Sequence, residues 1–277
     1  MVAMNHNELF SKYLLVVNNE NKKVIKALLT AMEKNGLSYI EKQKINFNQE
    51  VFENIYFLYN ELKKIFDYKY NNRLDLEMFF DMIINNNINF YAIFCPGYTD
   101  DGYKNRLGKT TTTKIKQLKD LKIILTDWKI NFQLRCLYAD IFLENCDSIK
   151  NKNWEQELEL NKKLFMDFAL NYFDESEICF LSNIFDSIEY KQGFINKEVL
   201  EGRNYQEFMK YNQAFYKKMG WDNETIKFRN DNLYTIYCIS ADYLKSLGNT
   251  AYLPMENMYA RTKVFTKKGV CSMYLNL

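Results

Sequence analysis

The sequence predicts an α/β fold: a mainly parallel, Rossmann-like sheet with flanking helices, a helical N-terminal extension and a C-terminal β-hairpin. Two observations carry this. From residue 87 onward, short apolar runs alternate with longer stretches whose apolar residues recur every three to four positions. Strand–helix alternation is the mark of a parallel sheet, because parallel neighbours need a crossover between them. Before that point only helical spacing occurs, so the chain divides into an extension, 1–86, and an α/β domain of catalytic type, 87–277.

The elements follow in order. Val24, Ile25, Leu28, Leu29 and Met32 form one helical stripe, and Val51, Ile55, Leu58, Leu62 and Ile65 form a second with Asn48 as its N-cap. Residues 88–95 (INFYAIFC) are a nearly continuous apolar run, expected of a strand covered on both faces. Leu118, Leu121, Leu125 and Trp128 mark the next helix, and 132–142 (FQLRCLYADIF) the second strand. A helix over 154–172, a third strand at 178–181 and helices near 204–219 and 230–247 come next. Residues 261–265 and 270–275, around the turn Thr266-Lys267-Lys268-Gly269, read as the hairpin.

Composition narrows the chemistry. The chain has 277 residues, 47% hydrophobic and 26% charged, with only two prolines and nine glycines, which favours long elements and short loops. A net charge of +2 supplies no general field for nucleic acid or anionic lipid, although a local basic patch is compatible with it. No apolar run approaches the roughly 20 residues that span a bilayer, and no N-terminal run has the length of a signal-peptide core. The expectation is a cytoplasmic protein that does not enter a membrane. Six widely separated cysteines without a C-x-x-C spacing are then expected to be reduced. The single histidine is His6, which argues against Ser–His–Asp triads, Cys–His pairs and histidine-based metal sites. Chemistry falls to Cys, Tyr, Lys, Arg and the carboxylates.

The stretch 94–118 (FCPGYTDDGYKNRLGKTTTTKIKQL) contains Gly108-Lys109-Thr110, the end of a P-loop motif. The motif needs a glycine five positions earlier, at 103, where the chain has Tyr103; Gly102 is one residue out of register. What remains is a long loop at the carboxyl end of the first strand, where ligands bind in doubly wound sheets. Its Lys104, Arg106, Lys109, Thr110, Thr111 and Lys114 are candidates for holding a substrate's anionic group at a helix start. Helix capping by the threonines and solvation of the cations is an equally open reading. Pro96 and Pro254 shape two loops, and Glu256 and Arg261 beside the second are further binding candidates. Cys95 is a candidate nucleophile if a nearby cation lowers its pKa. Asp140 and Glu144, four apart, are candidate acid/base groups. No metal site is specified; an ion shared by those two carboxylates would be Mg²⁺.

Phe94-Cys95-Pro96, Lys104-Asn105-Arg106-Leu107-Gly108 and Ala139-Asp140-Ile141-Phe142 together resemble the isocyanide (isonitrile) synthases over residues 90–147. Ile141 stands where that family has Gly, and Thr where it has Pro-Asp after Leu-Gly. The resemblance implies conversion of an amino acid's amino group to an isonitrile with carbon from a sugar phosphate. Cys95-Pro96, with Tyr234, Tyr237, Tyr252 and Pro254, is also similar to the tRNA-dependent cyclodipeptide synthases, with Cys238 where that family has Glu. That resemblance implies a nucleophile at Cys95 and an aminoacyl-tRNA partner, for which Lys109, Lys114, Lys116, Lys119 and Lys122 would form the basic helix. The expectation is therefore a transferase or synthase of small-molecule biosynthesis acting on an amino-acid-like or phosphorylated substrate. The competing class is a non-enzymatic binding or interaction protein.

Overall fold

A computed structural model describes residues 8, 21–34, 48–68, 71–94, 108–141, 153–186, 203–218, 220–254 and 264–276. Three helices come first: α1 (Asn21–Glu33), α2 (Gln49–Ile65) and α3 (Arg73–Ile84). Asn48 caps α2 as its sequence predicts, its side-chain oxygen accepting from the Val51 N–H at 3.2 Å. Then follow β1 (Ile88–Phe94), α4 (Lys109–Asp127), β2 (Phe132–Tyr138), α5 (Trp154–Ala169), β3 (Ile178–Phe180) and the short α6 (Leu181–Asp186). The remainder is α7 (Arg203–Lys218), α8 (Asn223–Ser246), β4 (Thr250–Leu253) and β5 (Cys271–Ser272). β2 stops short of 142 because the Asp140 N–H turns back onto the Tyr138 carbonyl at 3.1 Å.

All five strands run parallel, in the order β3-β2-β1-β4-β5. This is the Rossmann-like arrangement, with successive connections leaving β1 in opposite directions. Strand alternation sorts side chains to two faces. Ile88, Phe90, Ala92 and Phe94 of β1 and Leu134, Cys136 and Tyr138 of β2 pack with α1 to α5 in one core. Ile93, Leu137 and Tyr252 point the other way and pack with α7 and α8 in a second core. The helices of the first 86 residues thus share their apolar interior with the sheet.

The C-terminal hairpin is corrected. Residues 264–267 form a helical turn closed at Gly269 (φ +83°), where the Val270 N–H bonds the Phe265 carbonyl at 2.9 Å. The chain then enters β5, which pairs with β4 in parallel (Ala251↔Cys271, Tyr252↔Ser272). Val264 and Phe265 read as strand because branched and aromatic residues suit pleated surfaces. Burial against Tyr252, whose ring stacks on Phe265 at 3.9 Å, is satisfied by a helical turn instead.

Candidate functional site

The sheet's connections reverse between β1 and β4, and there the strand ends part. Parallel pairing of β1 with β4 ends at Ala92↔Leu253, so carbonyls just beyond it need partners from elsewhere. Lys114, reaching from α4, supplies them. Its ammonium donates to the carbonyls of Ile93 (2.7 Å), Leu253 (2.6 Å) and Pro254 (2.9 Å). It is fully buried and lies 4.9 Å from the centroid of the Phe94 ring. Three donors meet three acceptors, an arrangement that pins the split edge of the sheet and matches the donor count of an ammonium.

A second polar group sits at the carboxyl end of β2. Asp140 is buried and accepts from the Ser182 N–H (2.9 Å) and the Ser182 hydroxyl (2.5 Å). Lys162 of α5 pairs with it at 3.3 Å and lies 5.3 Å from the Phe180 ring centroid. Asp140 therefore caps the start of α6 from a neighbouring strand while neutralised by a cation. Ser182 and Lys162 do not stand out in the linear pattern. Ser182 could have been found by applying the carboxyl-end rule to the third strand, as it was applied to the first two.

At the start of α4, Lys109 and Thr110 are exposed and Thr111 is buried. Gly108 gives the helix no side-chain cap. The basic helix is not a continuous face: Lys114 is interior, Lys122 pairs with Glu177 at 2.8 Å, and Lys109, Lys116 and Lys119 are exposed. Cys95, Lys104, Arg106, Glu144, Glu256 and Arg261 lie outside the described residues. The described candidates accordingly divide between the β1/β4 split (Lys109, Thr110, Thr111, Lys114) and the β2/β3 end (Asp140).

The core on the α7/α8 side of the sheet is aromatic. α8 has 24 residues, about 36 Å at 1.5 Å per residue, whereas β4 has only four. Since α8 leads into β4, its N-terminal half projects past the carboxyl edge of the sheet. Every residue from 230 to 238 is buried. Tyr234 and Tyr237 share one core with Ile93 of β1, Leu137 of β2 and Tyr252 of β4. Tyr234 is tied to the Cys238 sulfur by a hydrogen bond, and burial pushes the Cys238 thiol up to about 11, which keeps it protonated at neutral pH. Burial likewise holds the Tyr234 hydroxyl above its ordinary range. Both groups are therefore neutral members of the core beneath the sheet.

Among the described residues, no three or more His, Cys, Asp or Glu side chains group so as to hold a metal ion, and no helix is long and apolar enough to cross a membrane. No protein-family model matches the chain, and no curated protein matches it.

Proposed function

We propose that the crevice outside the carboxyl ends of β1 and β4 is a substrate site, and that the protein is an enzyme of small-molecule biosynthesis acting on an amino-acid-like or phosphorylated substrate. The observation that carries this reading is the reversal of strand order at β1/β4, the switch point outside which open α/β sheets bind their ligands. Lys114 pins the sheet edge at that point, the exposed Lys109 and Thr110 begin α4 beside it, and Tyr234, Tyr237 and Tyr252 pack in the core behind it. Mostly apolar walls with a few fixed polar groups are the usual build of a small-molecule pocket. The reaction is isonitrile formation: an amino acid's nitrogen gains one carbon from a sugar phosphate, whose phosphate would meet the α4 start.

A second reading, aminoacyl transfer to a cyclic dipeptide, is favoured by one specific feature. Tyr234 and Tyr237 on α8 and Tyr252 on β4 share a core with Ile93, two residues before Cys95. Expression followed by mass spectrometry of metabolites tests both. A new isonitrile supports the first reading, and a cyclic dipeptide that disappears in Cys95→Ala supports the second. Neither product, with purified protein also failing to bind amino acids or sugar phosphates, leaves the non-enzymatic interaction protein.

A further inference from the structure

Asp140 and Ser182 stand at matching positions in the sheet. Tyr138 of β2 and Phe180 of β3 are partners in the parallel ladder, and Asp140 and Ser182 each lie two residues beyond them. Register alone therefore brings the two side chains together at the carboxyl ends of adjacent strands. The Ser182 hydroxyl donates to Asp140 Oδ2 at 2.5 Å, and the Ser182 N–H donates to Oδ1 at 2.9 Å. The crossover helix between the strands, α5, adds a third member. Phe165 of α5 packs on the Tyr138 ring at 4.9 Å between centroids, and Lys162, one turn earlier, meets Asp140 Oδ2 at 3.3 Å. Lys162 also pairs with the exposed Glu159 at 3.5 Å.

A cap on α6 needs only the Ser182 N–H. The hydroxyl aimed at the second carboxylate oxygen is an addition to it. A hydroxyl bonded to a carboxylate that a third group holds in place has the parts of an activated nucleophile. Its placement agrees, because Ser182 sits where β3 hands over to α6, the position that presents a nucleophile at the top of an α/β sheet. Phe180 and Ile184 stand where the glycines of the common nucleophile motif would be, so placement and contacts carry the assignment, not the sequence pattern. Access agrees as well. The Asp140 side chain is 3% exposed, whereas Ser182 is half-buried and the Lys162 side chain is 26% exposed, so the group opens to solvent with the carboxylate behind.

We propose that Ser182 is a nucleophile with Asp140 as its general base and Lys162 as a positioning residue, and that this site cleaves carboxylic esters. The Ser182 Oγ attacks the ester carbonyl carbon while its proton passes to Asp140 Oδ2. The alcohol leaves with that proton and the acyl group stays on Oγ. Water then attacks the acyl carbon and gives a proton to Asp140, which returns it to Oγ as the carboxylic acid departs. The net reaction is ester plus water to acid plus alcohol. Asp140 engages the Ser182 N–H, which is then not free to stabilise an oxyanion, and this restricts the site to reactive acyl groups such as esters, not amides. The site uses a different pair of strands from β1 and β4, and its chemistry does not depend on the reading of that crevice.

The test applies two probes to the full chain: a fluorophosphonate, which phosphorylates activated serine hydroxyls, and p-nitrophenyl acetate as a substrate. Peptide mass spectrometry locates the fluorophosphonate adduct. The expected result is an adduct on Ser182 and ester hydrolysis above the buffer rate. Ser182→Ala, which keeps the N–H cap, should abolish the adduct and lower hydrolysis by at least about tenfold at an unchanged melting temperature. Asp140→Asn should slow labelling by a similar factor. Lys162→Arg should retain the reactivity that Lys162→Met loses, with equal melting temperatures, which separates positioning from stability. Absence of an adduct on Ser182 in wild type overturns the inference, as does undiminished hydrolysis in Ser182→Ala. Labelling that survives Asp140→Asn in folded protein overturns it too, because the carboxylate is then not the base. If Asp140→Asn does not fold, labelling of wild type and its loss in Ser182→Ala decide the matter between them.

Discussion

Lys114 and Asp75 are buried charges handled in opposite ways. Lys114 offers its full set of donors to three carbonyls at the split between β1 and β4. Lys114→Met keeps the apolar stem and orphans those carbonyls. The expected loss is roughly 3 kcal/mol or more, at about 1–3 kcal/mol for each buried unsatisfied group with partial relaxation. The denaturant midpoint measures it; a midpoint within experimental error of wild type would mean that the carbonyls find other partners. Asp75, buried near the start of α3, accepts from the Ser272 N–H (2.8 Å), the Thr266 hydroxyl and the Asn72 amide. No cation stands among these partners, and burial wins over the donors, raising its carboxyl from 3.8 to about 6. Between those values the folded state holds a proton that the unfolded chain has released. Stability is therefore highest below about pH 4, falls as pH rises toward 6, and is level above, by on the order of 2–3 kcal/mol. Denaturant titrations at several pH values should reveal that slope, and Asp75→Asn should flatten it.

Among the elements, those with strong local periodicity were legible and those defined by partners were not. α2 carries its stripe and its cap in the sequence, and β1 its unbroken apolar run. β4 is only four residues long, and TAYL could begin a strand or end a helix; its place beside β1 is set by pairing with β1 and by the Lys114 ammonium, both from distant parts of the chain. The last segment was misread because Val264 and Phe265 favour strands locally, whereas Gly269 at φ +83° closes a helical turn. The site divides in the same way. Asp140 followed from the carboxyl-end rule, but its cap on Ser182 and its pairing with Lys162 join residues tens of positions apart. Gly269→Ala tests the turn. An added Cβ meets nothing within 4 Å, so the cost is backbone strain alone, about 1–2 kcal/mol, read as a lower melting temperature. An unchanged melting temperature would put the closing turn elsewhere.

At the scale of the molecule, one question is whether the N-terminal helices are an appendage or part of the folding unit. Composition suggests a division near residue 86, because the apolar pattern changes there. The packing points to shared stability: Phe66 and Phe79 meet at 5.0 Å, and Phe79 meets Phe90 of β1 at 6.2 Å. Backbone bonds add to this at the far end of the chain. The Asp67 N–H bonds the Tyr274 carbonyl (3.0 Å) and the Asn276 N–H bonds the Ile65 carbonyl (2.8 Å), so the end of α2 is stitched to the last described residues. Removing the helices would strip one face of β1 and leave those groups without partners. Unfolding should accordingly be cooperative across the 86/87 boundary. Trp128 reports on that boundary because its ring lies 6.1 Å from Phe57 of α2. Trp221, stacked on Tyr216 beside α8, reports on the opposite face. In proteins retaining only one of these tryptophans, with the other and Trp154 changed to Phe, fluorescence and far-UV circular dichroism should trace one coincident denaturant transition. If the Trp128 signal moves at lower denaturant than both the Trp221 signal and the dichroism, α1 to α3 unfold separately and the shared core does not couple them to the sheet.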